Sequence, residues 1–187
     1  MLEEKKIQFE GRDFVYFQEG NYEKSAVLLH GYSFESKVWE QAGITALLSS
    51  LGYSSFALDI PGFPNSRNKQ EMDEEHILSL IGELVSRLNR PVLLGASASG
   101  YLALKFAEQN SSMISAVIGV GPVRLNEIKT GLIKVPMLLI WGSLDNVSKP
   151  VKVKGARVEV IAGARHACYL DKPEEFKKLI ADFLHSL

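Results

Sequence analysis

Apolar residues in this chain follow two rhythms. Short unbroken runs occur at Ser25 to Leu29, Tyr53 to Leu58, Val92 to Gly95, Ser115 to Val120 and Pro136 to Trp141. Continuous apolarity suits a parallel strand covered on both faces. Between these runs, apolar residues recur every three or four positions, as on one face of a helix. This spacing predicts helices over Val38 to Leu48, Asp73 to Leu88, Tyr101 to Glu108 and Pro173 to Leu187. Gly52 is the expected stop for the first of them, and acidic residues in the first turn of the second suit its positive end. Ile7 to Phe9 and Arg12 to Phe17, on either side of Gly11, predict a leading hairpin, and Arg157 to Ile161 a last strand. Strands alternating with helices call for an α/β fold, a mainly parallel central sheet with helices on both faces. Residues 1–187 are expected to form one domain, and Gly121 to Val135 is too short for a large cap.

Composition narrows the picture. A chain of 187 residues can bury roughly 70% of its extended surface. With 46% apolar and 23% charged residues it reads as globular, and a formal net charge of -1 gives no field to gather nucleic acid or anionic lipid. One cysteine excludes an internal disulfide. The charged start MLEEKKIQFEGRD lacks a signal-peptide core, and no window reaches 18 apolar residues. The expectation is a cytoplasmic protein without nucleic-acid or membrane partners.

Candidate chemistry gathers just after the strand ends. Ser97 follows Val92 to Ala96 and leads into the helical pattern YLALKFAEQN, the outline of a nucleophile elbow. The usual pattern is G-x-S-x-G; here Ser99 takes the last position and the glycine moves to Gly100. Asp145 follows LLIWGSL, and His166 follows VEVIAGAR. The order serine, acid, histidine is that of an α/β-hydrolase triad, with Ser97 as nucleophile, His166 as base and Asp145 orienting the imidazole. An oxyanion would need amide donors, for which Ala98 and Tyr32 are the candidates, with Ser33 the alternative. His30 and Asp59 read as structural, Asp171 as a helix cap, and His185 as solvated. Phe34, Ser99, Val123 and Cys168 are candidate pocket residues. No C-x-x-C, H-E-x-x-H, G-x-G-x-x-G or P-loop occurs, so no cofactor or metal is expected. Lys149, Lys152 and Lys154 read as a solvated edge.

From Ser25 onward the chain resembles the small, capless α/β-hydrolase domain-containing protein 14 family. The blocks that carry the resemblance are VLLHGYSFESKVW, LGYSSFALDIPGFPNS, LLGASASGYLALKF, PMLLIWGSLDN and GARHACYLDKPEEFKKLIADFL. The family's elbow resembles S-x-S-G, onto which Ser97 to Gly100 falls directly. The resemblance implies an α/β-hydrolase fold, the triad Ser97, Asp145 and His166, and hydrolysis of small acyl esters. It also brings an associated acyl transfer involving acetylated lysine and coenzyme A. A silent binding protein on the same fold is the reading from another class. Two positions depart from the family pattern. Asn146 to Ala156 leaves little room for the helix that normally precedes the last strand, and Pro64 stands where glycine is common.

Overall fold

The computed structural model describes residues 2–187. Its centre is an eight-stranded sheet in the order β1, β2, β4, β3, β5, β6, β7, β8. The strands are β1 (Glu3–Phe9), β2 (Arg12–Glu19), β3 (Lys24–Leu29), β4 (Tyr53–Leu58), β5 (Val92–Ala96), β6 (Ala116–Val120), β7 (Met137–Gly142) and β8 (Ala156–Ile161). The leading hairpin is antiparallel, β2 joins β4 antiparallel, and every pairing from β4 through to β8 is parallel.

The unbroken apolar runs have the expected physical cause. All residues of β4, β5, β6 and β7 are buried, because helices cover both faces. Alternate residues of one strand enter different cores. Val27 and Leu29 of β3 pack with α3 (Glu74–Ser86) and α4 (Ala98–Asn110). Ala26 and Leu28 pack on the other face with α1 (Val38–Gln41), α2 (Ile44–Ser50) and α6 (Pro173–His185), joined by the short α5 (Cys168–Asp171). Both outer strands are partly exposed and carry charge: β1 has Glu3, Glu4, Lys5 and Lys6, and β8 has Arg157 and Glu159. Charged edges resist pairing with a further strand. Among the described residues, no helix is long and apolar enough to cross a membrane.

The helix expected over Val38 to Leu48 is two helices. Gly43, at φ 73°, breaks it between α1 and α2. A left-handed residue stops the hydrogen-bond ladder, and the bend buries both Trp39 and Ile44 completely. Between β7 and β8 there is no helix, in keeping with the shortness of that segment.

The tightest contact in the fold lies where α4 crosses β5. A Cβ on Gly95 would drive into the backbone carbonyl of Ser99, so only glycine lets the strand and helix approach this closely. Backbone cannot swing aside as a side-chain tip can. Gly95→Ala is therefore expected to cost about 3 kcal/mol, the upper end for overpacking, which lowers Tm by roughly 6–12 °C at 2–4 °C per kcal/mol. Gly131→Ala, whose added Cβ meets open space, is the control and is expected to move Tm by under 2 °C, within surface-substitution scatter of about 0.5 kcal/mol. Equal melting of the two variants, measured by differential scanning calorimetry, would contradict this account of the turn.

Candidate active site

The chain leaves β3 for β4 on one side and returns to β5 on the other. At such a switch point the following loops diverge and open a crevice beyond the carboxyl ends of the strands. Register keeps those ends level: Leu29 lies opposite Gly95, Ala96 opposite Val120, and Gly142 opposite Ile161. The loops after β3, β5, β7 and β8 therefore meet on one edge.

Ser97 sits in the turn after β5, at φ 56° and ψ −116°. A non-glycine residue held there costs on the order of 1–3 kcal/mol, so its surroundings must hold it. They do so from both sides: Ser97 N donates to Val120 O at 2.8 Å, and Ser97 O accepts from Tyr101 N at 3.1 Å and Val123 N at 3.4 Å. The hydroxyl is left facing the crevice, where Ser97 lines a small cleft.

Asp145 follows β7 and is 1% exposed. Its Oδ1 accepts from Val147 N at 2.8 Å and Ser148 N at 2.9 Å, which aims Oδ2 at the next loop. There His166 Nδ1 lies 2.7 Å from Asp145 Oδ2, and His166 Nε2 lies 2.8 Å from Ser97 Oγ. A carboxylate only accepts, so the ring proton sits on Nδ1 and the lone pair of Nε2 faces the hydroxyl. Gly121, at φ 50°, keeps space for the pair, since a Cβ there would come to 3.1 Å from both Asp145 Oδ2 and the imidazole. The loop carrying His166 is tied to the β7 turn without a helix between the strands: Leu144 N donates to Ala164 O, and Gly163 N to Ser143 Oγ, each at 2.9 Å. The structure thus brings Ser97, Asp145 and His166 together in one hydrogen-bonded line.

The two amides singled out in the sequence are both unengaged. Ala98 opens α4, where an N–H has no intrahelical partner, and neither it nor the Tyr32 N–H donates to another group among the described residues. The Tyr32 loop is braced from behind by two buried groups. His30 Nδ1 donates to Gly31 O at 2.9 Å, and its Nε2 accepts from Ile60 N at 2.9 Å. Both ring nitrogens are thereby used by a neutral imidazole. Burial pushes the His30 pKa down from its usual value for the same reason, although Asp59 Oδ1 is 3.6 Å away. Asp59 binds Ser36 N at 2.8 Å, and Asn65 Nδ2 donates to Ser33 O at 2.8 Å. Asn68 ties the loop that follows β4 to β2 through Val15 and holds Asp59 O within it. Sequence reasoning missed both asparagines, although their place in a polar Pro-Asn-Ser loop fits residues that bond neighbouring backbone.

Several expectations need correction. Ser99 is fully buried against the sheet, with its hydroxyl unpartnered among the described residues, and does not line the cleft. Cys168 is also fully buried, and its thiol is pushed up to about 12, first by burial and then by the Asp145 charge. It is an inert core residue rather than part of a pocket wall. Asp171 does not cap α6; it folds back on Arg165, accepting from its backbone N at 2.8 Å and from its guanidinium at 3.0 and 2.8 Å. Phe34 and Val123 do line cavities, and Tyr169 is a wall residue that the sequence reading missed. His185 is exposed, as expected.

Two clefts flank the nucleophile. One, of about 70 Å³, is bounded by Tyr32, Phe34, Ser97, His166 and Tyr169. The other, of about 170 Å³, begins at Ala98. A wider depression of about 550 Å³, edged by Lys149, Lys152 and Lys154, includes none of Ser97, Ala98 and His166, so its size gives it no claim to the reacting centre.

Comparison with known proteins identifies the fold family. The model of the alpha/beta hydrolase family matches residues 26–132, from β3 past the elbow. The chain belongs to the α/β hydrolase family. The relatives that it matches include ABHD14 proteins. Protein ABHD14A of Danio rerio is 37% identical over 173 residues, a match covering 86% of this chain and 64% of that protein. The chain thus spans just under two thirds of that relative's length. The human "Putative protein-lysine deacylase ABHD14B" is 30% identical over 97% of this chain and 94% of its own length. Among solved hydrolase structures, a "predicted CIB-like hydrolase" from Thermoplasma acidophilum superposes with a TM-score of 0.87 at 30% identity, covering 100% of this chain and 99% of that one.

The His30 brace predicts a pH effect with a definite sign. Its folded pKa lies below the ordinary value of 6.5, so the unfolded chain takes up the proton first as pH falls. Stability linked to His30 is full above about pH 6.5 and declines below it. In urea unfolding between pH 8 and 5, His30→Gln should be less stable than wild type at pH 8, and the gap should shrink as the pH drops. His76, raised by Asp73, is common to both proteins and cancels. A gap that stays constant or widens would refute the neutral-imidazole assignment.

Proposed function

We propose that this α/β hydrolase is a serine hydrolase that cleaves small acyl esters through an acyl-enzyme. The observation that carries the reading is the continuous line from Ser97 Oγ to His166 Nε2 at 2.8 Å and from His166 Nδ1 to Asp145 Oδ2 at 2.7 Å, beside two unengaged amides. An alcohol is a weak nucleophile near neutral pH, and a base within hydrogen-bond reach removes that limit.

In the proposed reaction His166 Nε2 takes the Ser97 proton as Oγ bonds to the substrate carbonyl carbon. The carbonyl oxygen becomes negative and is held by the amides of Ala98 and Tyr32, at a typical value of about 2.7–4 kcal/mol per donor. Asp145 holds the imidazolium through Nδ1 and remains ionised. The imidazolium then gives its proton to the leaving oxygen, the carbon–oxygen bond breaks, and the acyl group stays on Ser97. Water, deprotonated by His166, attacks this ester, and return of the proton to Ser97 releases the acid.

The printed name of the human relative favours a second acyl donor, an acylated lysine side chain. The same steps would cleave its amide, with His166 protonating a leaving amine, or would pass the acyl group to an acceptor other than water. The open crevice supports admission of a side chain carried on a larger partner.

p-Nitrophenyl acetate and an acetyl-lysine peptide separate these donors. Wild type should hydrolyse the ester, and Ser97→Ala should lower kcat/KM by at least about 10³, in line with loss of an activated nucleophile. Equal turnover by the two proteins would refute the reading. Faster release of acetate from the peptide than from the ester would move the assignment to deacylation.

A further inference from the structure

The two clefts on either side of the elbow differ in what touches them, and the difference orients the substrate. The smaller one is lined by His166, Ala167, Tyr169 and Phe34. The larger one touches neither Ser97 nor His166 and meets the elbow only at Ala98. It runs from Ala98 between the apolar side chains of Phe63, Ile77, Leu102 and Val123.

At a tetrahedral carbon bonded to Ser97 Oγ, three directions remain. One holds the oxyanion, towards the amides. A second must hold the leaving oxygen, because only a group beside Nε2 can receive its proton. The acyl chain takes the direction that is left, away from the imidazole. Resting on the reading of Ser97 as nucleophile, we infer that the apolar cleft between Phe63, Ile77, Leu102 and Val123 holds the acyl chain and measures its length.

The length limit follows from the polar groups in the cleft's lining. Tyr101 and Leu102 stand one helical turn beyond Ser97 and Ala98, roughly 6 Å along α4 at 1.5 Å per residue. There Tyr101 Oη donates to Glu74 Oε1 at 2.8 Å, Arg124 Nη1 donates to Glu74 Oε2 at 2.9 Å, and the Arg124 guanidinium lies 4.0 Å from the Tyr101 ring centroid. Arg124 is held there at φ 53° and is tied from its other side to Glu127. A hydrogen-bonded polar cluster in the wall of an apolar slot disfavours a longer alkyl chain, which would have to break these bonds without replacing them. The space of about 170 Å³ takes roughly five or six groups at about 30 Å³ each. Hexanoyl, with five carbons beyond its carbonyl, fills it at about 30 Å³ per group; butanoyl fills about half, acetyl leaves it largely unfilled, and decanoyl overruns it.

The experiment is a kcat/KM series of p-nitrophenyl esters from acetate to decanoate, run on wild type, Val123→Phe, Arg124→Ala and Ser97→Ala. Val123 is half-buried at the wall and Arg124 is exposed, so both variants spare the sheet core. Wild type should peak near hexanoate and fall at least tenfold by decanoate. Val123→Phe should lower the hexanoate-to-acetate ratio at least tenfold, and Arg124→Ala should raise the decanoate-to-hexanoate ratio at least threefold. Ratios unchanged within twofold in both variants, with hydrolysis still dependent on Ser97, would overturn the acyl assignment and leave the hydrolase reading standing. A Val123→Phe effect that follows the alcohol in a series of acetate esters would place the leaving group in this cleft and also overturn it. Hydrolysis that persists in Ser97→Ala would remove the underlying reading instead.

Discussion

One imidazole joins segments that are far apart in the chain. His166 is 69 residues from Ser97 and 21 from Asp145, and it bonds to both. Neither bond could form unless β5, β7 and β8 ended at the same level of one sheet edge. The parallel register supplies that condition, with Ala96 level with Val120 and Gly142 level with Ile161. Burial of apolar side chains on both faces sets the register, since a slip of one residue would turn every side chain to the opposite core. The geometry of the reacting edge is in this sense a consequence of hydrophobic packing several layers below it.

A second set of polar groups does the same for the amide side of the crevice. His30, Asp59 and Asn68 are almost wholly buried, and each spends its bonding capacity on backbone. Buried polar groups without partners are costly, so a satisfied set holds one loop arrangement against its alternatives. The Tyr32 amide is left open while the backbone around it is fixed. Unengaged donors in a fixed loop are what a developing negative charge can use without reorganisation.

Much of this was legible in the sequence, and the parts that were not share a cause. Doubly covered strands announce themselves as unbroken apolar runs, and the polar residue that follows each run is then placed at the edge. Ser97 and Asp145 could be picked out on that basis, whereas His166 follows the partly exposed outer strand β8 and was picked out by its glycine-containing loop and the serine, acid, histidine order. Gly43 was not recognised as a break, because the apolar spacing on its two sides continues the same helical period. The directions of Ser99 and Cys168 were also out of reach. Both are small residues next to a turn, and whether they face crevice or core depends on a rotation about the chain that no spacing rule sets. Asp171 was read as a cap from its position before Lys172-Pro173, yet Arg165 folds back to it and wins its carboxylate, drawing its pKa down to about 2. Tyr169 and the Glu74, Tyr101 and Arg124 cluster join distant segments through long side chains, so only tertiary packing reveals them.

The central claim is that the Ser97 hydroxyl is activated by His166, which Asp145 in turn orients. Mass-spectrometric rates of fluorophosphonate attachment at Ser97 test this without any assumption about the natural substrate. The account predicts stoichiometric labelling of wild type, slowed by roughly 10²–10⁴ in His166→Ala, the usual worth of a general base, and slowed also in Asp145→Asn. Labelling of Ser97 at the same rate in all three proteins, or no labelling of wild type, would contradict it.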